Sequence, residues 1–304
     1  MLVPTKRILG KAHRGRYAIG AFNFNNMEMV QGVIAAAEEL KAPVLIQTTE
    51  GAIKYAGLKY LHAIGMAAAE QAKVPVCLHL DHGRDWDVIK SCVKIGYSSI
   101  MYDGSHLSFK ENIKMTRKVV NLAHKHGISV EAELGTIGGV EDLVSARKII
   151  YTDPDEAQEF VEKTGCDYLA VAIGTSHGAY KFAGKSSLDF TRLEVLKKRL
   201  KMPLVLHGAS TIPPRLVKQA NKYGAKIAGA HGVSFPHIKK AAKLGINKFN
   251  TDSDLRIAFD AGMRKFLKEK PKDFDPRHIL GAARELVADT AKERMKYLGC
   301  AGKA

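Results

Sequence analysis

Eight short apolar runs, at 19–24, 44–49, 76–81, 99–102, 130–134, 168–173, 204–207 and 248–250, punctuate this chain at nearly regular intervals. Between them the stretches 26–40, 58–73, 85–95, 109–126, 154–164, 191–200 and 213–223 carry helical apolar spacing, several opened by Asp, Asn, Thr or Pro. Strand followed by helix, repeated, implies parallel strands with helices covering them. Eight such units are the number that closes a barrel, and no G-x-G-x-x-G follows the first run, where an open dinucleotide-binding sheet would place it. The expected architecture is therefore a (β/α)8 barrel of the α/β class. A second helical stretch at 236–244 lengthens the connection between strands seven and eight, and 276–298 reads as a C-terminal helical extension. No linker or low-complexity stretch divides the chain, so residues 1–304 are expected to form one domain, a length that β/α barrels accommodate.

With 46% hydrophobic and 26% charged residues the chain has the makings of a substantial core. The opening MLVPTKRILGKAHRGRY lacks an apolar leader, and no run approaches the length of a membrane span, so the expectation is a cytoplasmic protein with no membrane partner. Cys77, Cys92, Cys166 and Cys300 show no CxxC spacing and read as reduced thiols, leaving His and carboxylates to hold any metal. The formal charge of +16 raises nucleic acid, an anionic substrate or a solvated Lys-rich surface as explanations. Its clusters, such as Lys197-Lys198-Arg199 and Lys239-Lys240, fall within amphipathic helical patterns, and aromatics are 7% and scattered. Both features favour the surface reading over single-strand binding, which interleaves aromatics with basic residues.

A barrel gathers its chemistry at the C-terminal ends of its strands. Strand three ends in His79-Leu80-Asp81-His82-Gly83, strand six runs into Gly174-Thr175-Ser176-His177-Gly178, and strand seven ends in Leu206-His207-Gly208-Ala209-Ser210. Three histidines on one rim, with a fourth position open, is what a catalytic Zn²⁺ needs. Asp81, beside one of them, reads as an orienting group, a further ligand or a general base. Glu131 and Glu133 stand two apart on strand five and share a face, either into the barrel or out towards the helices. Glycines 138 and 139 ahead of Glu141 suit a mobile loop that brings a carboxylate in after substrate binds. After strands seven and eight, Gly208-Ala209-Ser210 and Asn250-Thr251-Asp252-Ser253 occupy loops where barrels bind phosphate through backbone N–H groups, although a helix N-cap also accounts for Asp252 and Ser253.

HLDHG at 79–83, EAELGTIGG at 131–139 followed after one residue by ED, GTSHGAYK at 174–181, LHGAS at 206–210, NTDSDLR at 250–256 and FDPR at 274–277 resemble, in order and over nearly the whole chain, the signature segments of class II fructose-bisphosphate aldolases. The resemblance implies His82, His177 and His207 as ligands of a catalytic Zn²⁺, and Asp103 and Glu133 as positions able to hold a second or alternative metal. It implies Asp81 as the acid/base at the C4 hydroxyl and Glu141 as the proton shuttle at the ketose-derived carbon. Gly178, Lys181, Gly208, Ser210, Asp252 and Ser253 match the pocket for the ketose-side phosphate, where a monovalent cation (Na⁺ or K⁺) often binds. Asn23 and Asn250 match substrate-orienting asparagines, and Arg277 the arginine that reaches the far phosphate of a neighbouring subunit in a homodimer or homotetramer. Thr49 stands where the family often has Ser, and Val140 replaces an acidic residue of one branch.

The implied reaction is reversible cleavage of fructose 1,6-bisphosphate to dihydroxyacetone phosphate and glyceraldehyde 3-phosphate, with zinc as the Lewis acid that stabilises the carbanion. Tagatose 1,6-bisphosphate, differing at C4, is the nearest alternative substrate, and a basic nucleic-acid-binding protein the remote alternative. A Schiff-base aldolase would need a lysine inside the barrel. Strand six has none, and Lys248 is expected at the wrong end of strand eight.

Overall fold

The computed structural model describes residues 1–141, 144–146, 149–178, 188–227 and 229–304. Its strands are β1 (Ile19–Asn23), β2 (Val44–Thr49), β3 (Val76–Gly83), β4 (Ser99–Tyr102), β5 (Ser129–Leu134), β6 (Gly138–Glu141), β7 (Val144–Ala146), β8 (Tyr168–Val171), β9 (Ser176–His177), β10 (Leu204–Leu206) and β11 (Ile246–Thr251). The helices are α1 (Thr5–Gly15), α2 (Met27–Glu39), α3 (Glu50–Ala56), α4 (Leu58–Gln71), α5 (Trp86–Ile95), α6 (Phe109–His124), α7 (Pro154–Thr164), α8 (Phe190–Leu200), α9 (Pro214–Lys222), α10 (Phe235–Leu244), α11 (Ser253–Glu269) and α12 (Pro276–Leu298). Eight strands close a parallel barrel in the order β1-β11-β10-β8-β5-β4-β3-β2, as expected for a (β/α)8 fold.

The helix starts are written in local chemistry. Asn26, Asp85, Asp153 and Asp275 each accept the first backbone N–H groups of α2, α5, α7 and α12, and Ser108 with Glu111 forms a reciprocal capping box on α6. Each cap satisfies donors that a helix end leaves unpaired. The strand interiors are buried on both faces, as a barrel enclosed by helices requires.

Three features were not anticipated. The N-terminal segment crosses the bottom of the barrel: Val3 pairs with Val76 at the start of β3, and the Lys6 amide donates to Ser129 at the start of β5. Helix α1 buries Ile8, Leu9 and Ala12 there. A short helix, α3, follows β2 directly, capped by Thr49. Residues 138–141, expected as a loop, are instead strand β6, which pairs antiparallel with β7 and parallel with β9 in a small sheet on the rim.

Candidate active site

Strict alternation would point Asp81 into the barrel and turn His82 out. The pairing of β3 with β4 shifts register between Leu80 and Gly83, and His82 adopts a left-handed backbone with φ 47°. A bulge of this kind re-aims a side chain, and a left-handed non-glycine residue is a strained state that the surrounding structure must hold in place. The result is that Asp81 and His82, consecutive in sequence, both serve the pocket.

His82 meets the other two rim histidines there. Ring centroids lie 4.5 Å apart for His82 and His207, 5.1 Å for His82 and His177, and 6.4 Å for His177 and His207. His177 is delivered by β9, which β6 holds in register, and Gly208 lets the chain after β10 approach: at φ 58° it would place any Cβ 2.6 Å from the carbonyl of Ser176. Donor atoms of Asp81, His82 and His207 lie within 4.8 Å of one another, as do those of His82, Asp103 and Glu133.

The open question about Glu131 and Glu133 is answered by their contacts: Glu131 meets His207 and Lys248, and Glu133 lies 3.9 Å from His82 Nδ1, so both face into the barrel. Glu131 Oε1 lies 2.6 Å from His207 Nε2, while its Oε2 accepts from Lys248 Nζ at 2.8 Å. Donation from Nε2–H to Glu131 leaves Nδ1 of His207 as the ring's electron pair, the arrangement by which a carboxylate orients a metal-binding imidazole. Lys248 corrects its expected placement. It is buried inside the barrel beneath His207, between Glu131 and His79 at 3.4 Å, with the polar chain continuing from His79 through Ser99 to Tyr168. Bound to a carboxylate, its ammonium has no electron pair to offer a carbonyl.

Asp81 is held by three amides. Asn23 Nδ2 donates at 2.9 Å and Gln47 Nε2 at 3.1 Å to Oδ2, and Asn250 Nδ2 donates at 2.8 Å to Oδ1. Gln47 also donates to Asn23 Oδ1 at 2.7 Å, which fixes which way the asparagine amide faces. Burial disfavours a charged His82, but Asp81, Asp103 and Glu133 outweigh it and hold the imidazole up at about 10. Burial and the neighbouring His82 and Lys248 push His207 well down. Burial, reinforced by Asp103, raises Glu133 far above the carboxylate range, whereas hydrogen bonding and charge from His82 and Arg84 overcome burial at Asp103 and lower it.

The remaining expected residues divide into those at the rim and those apart from it. Ser210, Asn250, Asp252 and Ser253 are all buried, with Ser210 Oγ 3.4 Å from the Asp252 amide and Ser253 opening α11, so both loops meet at a helix N-terminus. Asp252 precedes α11 without a side-chain capping bond, and both its oxygens face Arg256 at 2.8 Å, which sets aside the plain cap. Thr49 lies at the end of β2 and caps α3. Gly178 follows β9. Lys181 and the side chain of Glu141 lie outside the described residues. Arg277 stands apart, its side chain 86% exposed and its amide and guanidinium donating to Asp275. Gln47, Arg84 and Lys248 were missed as site residues. A glutamine in VLIQTT and a lysine in INKFNT were the available signals.

Fold and site together define a β/α-barrel protein whose rim gathers histidines and carboxylates close enough to share a metal ion. Residues 3–303 match the family described as fructose-bisphosphate aldolase class-II, and the chain belongs to that family. It is 47% identical to the fructose-bisphosphate aldolase of Thermus caldophilus and 46% identical to that of Helicobacter pylori, with all of each chain covered. Among solved structures it is similar to the YdjI aldolase of Escherichia coli K12, at a TM-score of 0.82 and 36% identity over the full length of both chains.

Proposed function

We propose that this chain cleaves fructose 1,6-bisphosphate reversibly to dihydroxyacetone phosphate and glyceraldehyde 3-phosphate. The observation that carries the reading is Asp81, a carboxylate fixed by three amides against the histidine cluster. The donor set fits a metal: Glu131 turns His207 so that its electron pair sits on Nδ1, which the Asn250 amide meets at 3.0 Å, Asp103 lies 3.0 Å from His82 Nδ1 and leaves Nε2, and His177 is the third ligand. Zn²⁺ bound there would supply Lewis-acid stabilisation of the negative charge that develops beside the ketone.

The protein's own groups do the rest. Asp81 takes the C4 hydroxyl proton as the C3–C4 bond breaks, and Asn23 and Asn250 orient substrate while holding Asp81 in line. Glu141, arriving on β6, returns a proton to the ketose-derived carbon. The N–H groups around Gly178, Gly208, Ser210, Asp252 and Ser253, with Lys181, bind the ketose-side phosphate, and a monovalent cation, Na⁺ or K⁺, fits beside it. Thr49 contributes a hydroxyl to the substrate pocket. Arg277 reaches the far phosphate in a neighbouring subunit of a dimer or tetramer, a role suited to its exposure and to Phe274 beside it, 91% exposed. Residues 1–304 act as one domain, and the site of action is the cytoplasm. Among the described residues no helix is long and apolar enough to cross a membrane.

Assaying triose phosphate release from fructose and tagatose 1,6-bisphosphate side by side tests the reading. A higher kcat/KM for fructose 1,6-bisphosphate is expected, and a preference for the tagatose sugar would reassign the substrate.

A further inference from the structure

The second donor cluster, His82, Asp103 and Glu133, sits directly behind the first and shares His82 with it. Asp103 is already fully engaged by the protein. Its Oδ2 accepts from Arg84 Nε at 3.0 Å and Arg84 Nη2 at 2.7 Å, and lies 3.0 Å from His82 Nδ1. Its Oδ1 accepts from the Ser105 amide at 3.1 Å and from Ser105 Oγ at 2.6 Å. Five donors thus converge on a group that offers about four lone-pair positions. Arg84 is not free to swing away at its root. Glu50 Oε1, from the first turn of α3, accepts from the backbone amide of Arg84 at 2.6 Å and from that of Asp85 at 2.7 Å.

We infer that Arg84 is a specificity-determining residue that closes the His82–Asp103–Glu133 cluster to a second divalent ion, its guanidinium standing as the resident countercharge of Asp103. A metal entering there would have to take a lone pair from Asp103 that Arg84 fills, draw Nδ1 of His82 away from the carboxylate that orients it, and settle beside a fixed positive charge. The arrangement commits His82 to the rim position through Nε2. It also gives Asp103 a use other than metal ligation: it sets the tautomer of His82. The inference rests on the metal reading proposed above, and it assigns a job to a residue that reading does not employ.

The test is an equilibrium titration of the metal-stripped chain with Co²⁺ or Zn²⁺, read as bound metal per chain after gel filtration rather than as activity. The wild-type chain should hold about one equivalent and Arg84→Gln about two, and Arg84→Gln combined with Glu133→Gln should return to about one, because the opened cluster then keeps only one of its two carboxylates. One equivalent in both wild type and Arg84→Gln, or two in the wild type, would overturn the inference while leaving the rim site intact. No bound metal in the wild type would remove the metal reading itself and this inference with it. The wild-type count stands as a test whether or not the variants fold.

Discussion

Asp81, His207 and Lys248 owe their directions to partners distant in sequence. Asp81 is aimed by amides from β1, β2 and β11, and this separates its role from that of Glu141, which is carried by the rim sheet. Asp81→Ala should lower bisphosphate cleavage by on the order of 10²–10⁴-fold with metal retained, because proton transfer from the C4 hydroxyl is lost. It should largely spare exchange of the dihydroxyacetone phosphate proton with solvent, which needs no C4 oxygen. Glu141→Ala should slow that exchange instead. Measuring cleavage and deuterium exchange in both variants decides the matter, and equal loss of both reactions in Asp81→Ala would dissolve the division. His82 was legible as a ligand candidate from HLDHG, but its orientation was not. Strand alternation turns it outward, and only the register shift against β4 with φ 47° brings it in. Lys248 was misplaced for a related reason. Position along a strand says nothing of a partner such as Glu131, 117 residues away in sequence.

At the scale of elements the periodicities carried most of the architecture, since 154–164 and 276–298 coincide with α7 and α12, and all eight apolar runs became barrel strands. What they missed was short or non-local. Helix α1 is rich in Lys and Arg and presents only a narrow apolar stripe. Strand β6 is a glycine-containing segment whose partner β9 lies far along the chain, so its pairing leaves no local trace. The C-terminal helix shows a tighter constraint. A Cβ on Gly32 of α2 would lie 2.8 Å from the backbone carbonyl of Arg284 on α12, where a flexible side chain is not available to yield. Gly32→Ala should therefore destabilise the protein by about 1–3 kcal/mol, despite the higher helix propensity of alanine. Thermal unfolding should show a midpoint lowered by at least about 2 °C. An unchanged or raised midpoint would mean that α12 is not held this closely.

The whole molecule carries a +16 formal charge, and one of its lysines is held against that charge's ordinary solvation. Lys197 Nζ contacts His13 Nδ1, the Met202 carbonyl and Asn247 Oδ1 at 2.7–2.9 Å, with no carboxylate among them. Burial pulls its ammonium down to about 7. With the folded value below the unfolded one, the unfolded chain binds more protons between about pH 7 and 10.5, so this group's contribution to stability rises with pH across that window. Lys197→Met should flatten the rise, which urea midpoints at pH 6, 8 and 10 would reveal, and an identical pH dependence in both proteins would refute it. The central claim is larger: a barrel that breaks a carbon–carbon bond through a histidine-held metal, although a lysine lies in its interior. The direct measurement is cleavage of fructose 1,6-bisphosphate before and after chelation, with Zn²⁺ returned and a parallel sample treated with borohydride and substrate. The account predicts that activity disappears with chelator, returns with Zn²⁺, and leaves no substrate attached to Lys248. Full activity in chelator, or a borohydride-trapped adduct on that lysine, would contradict it.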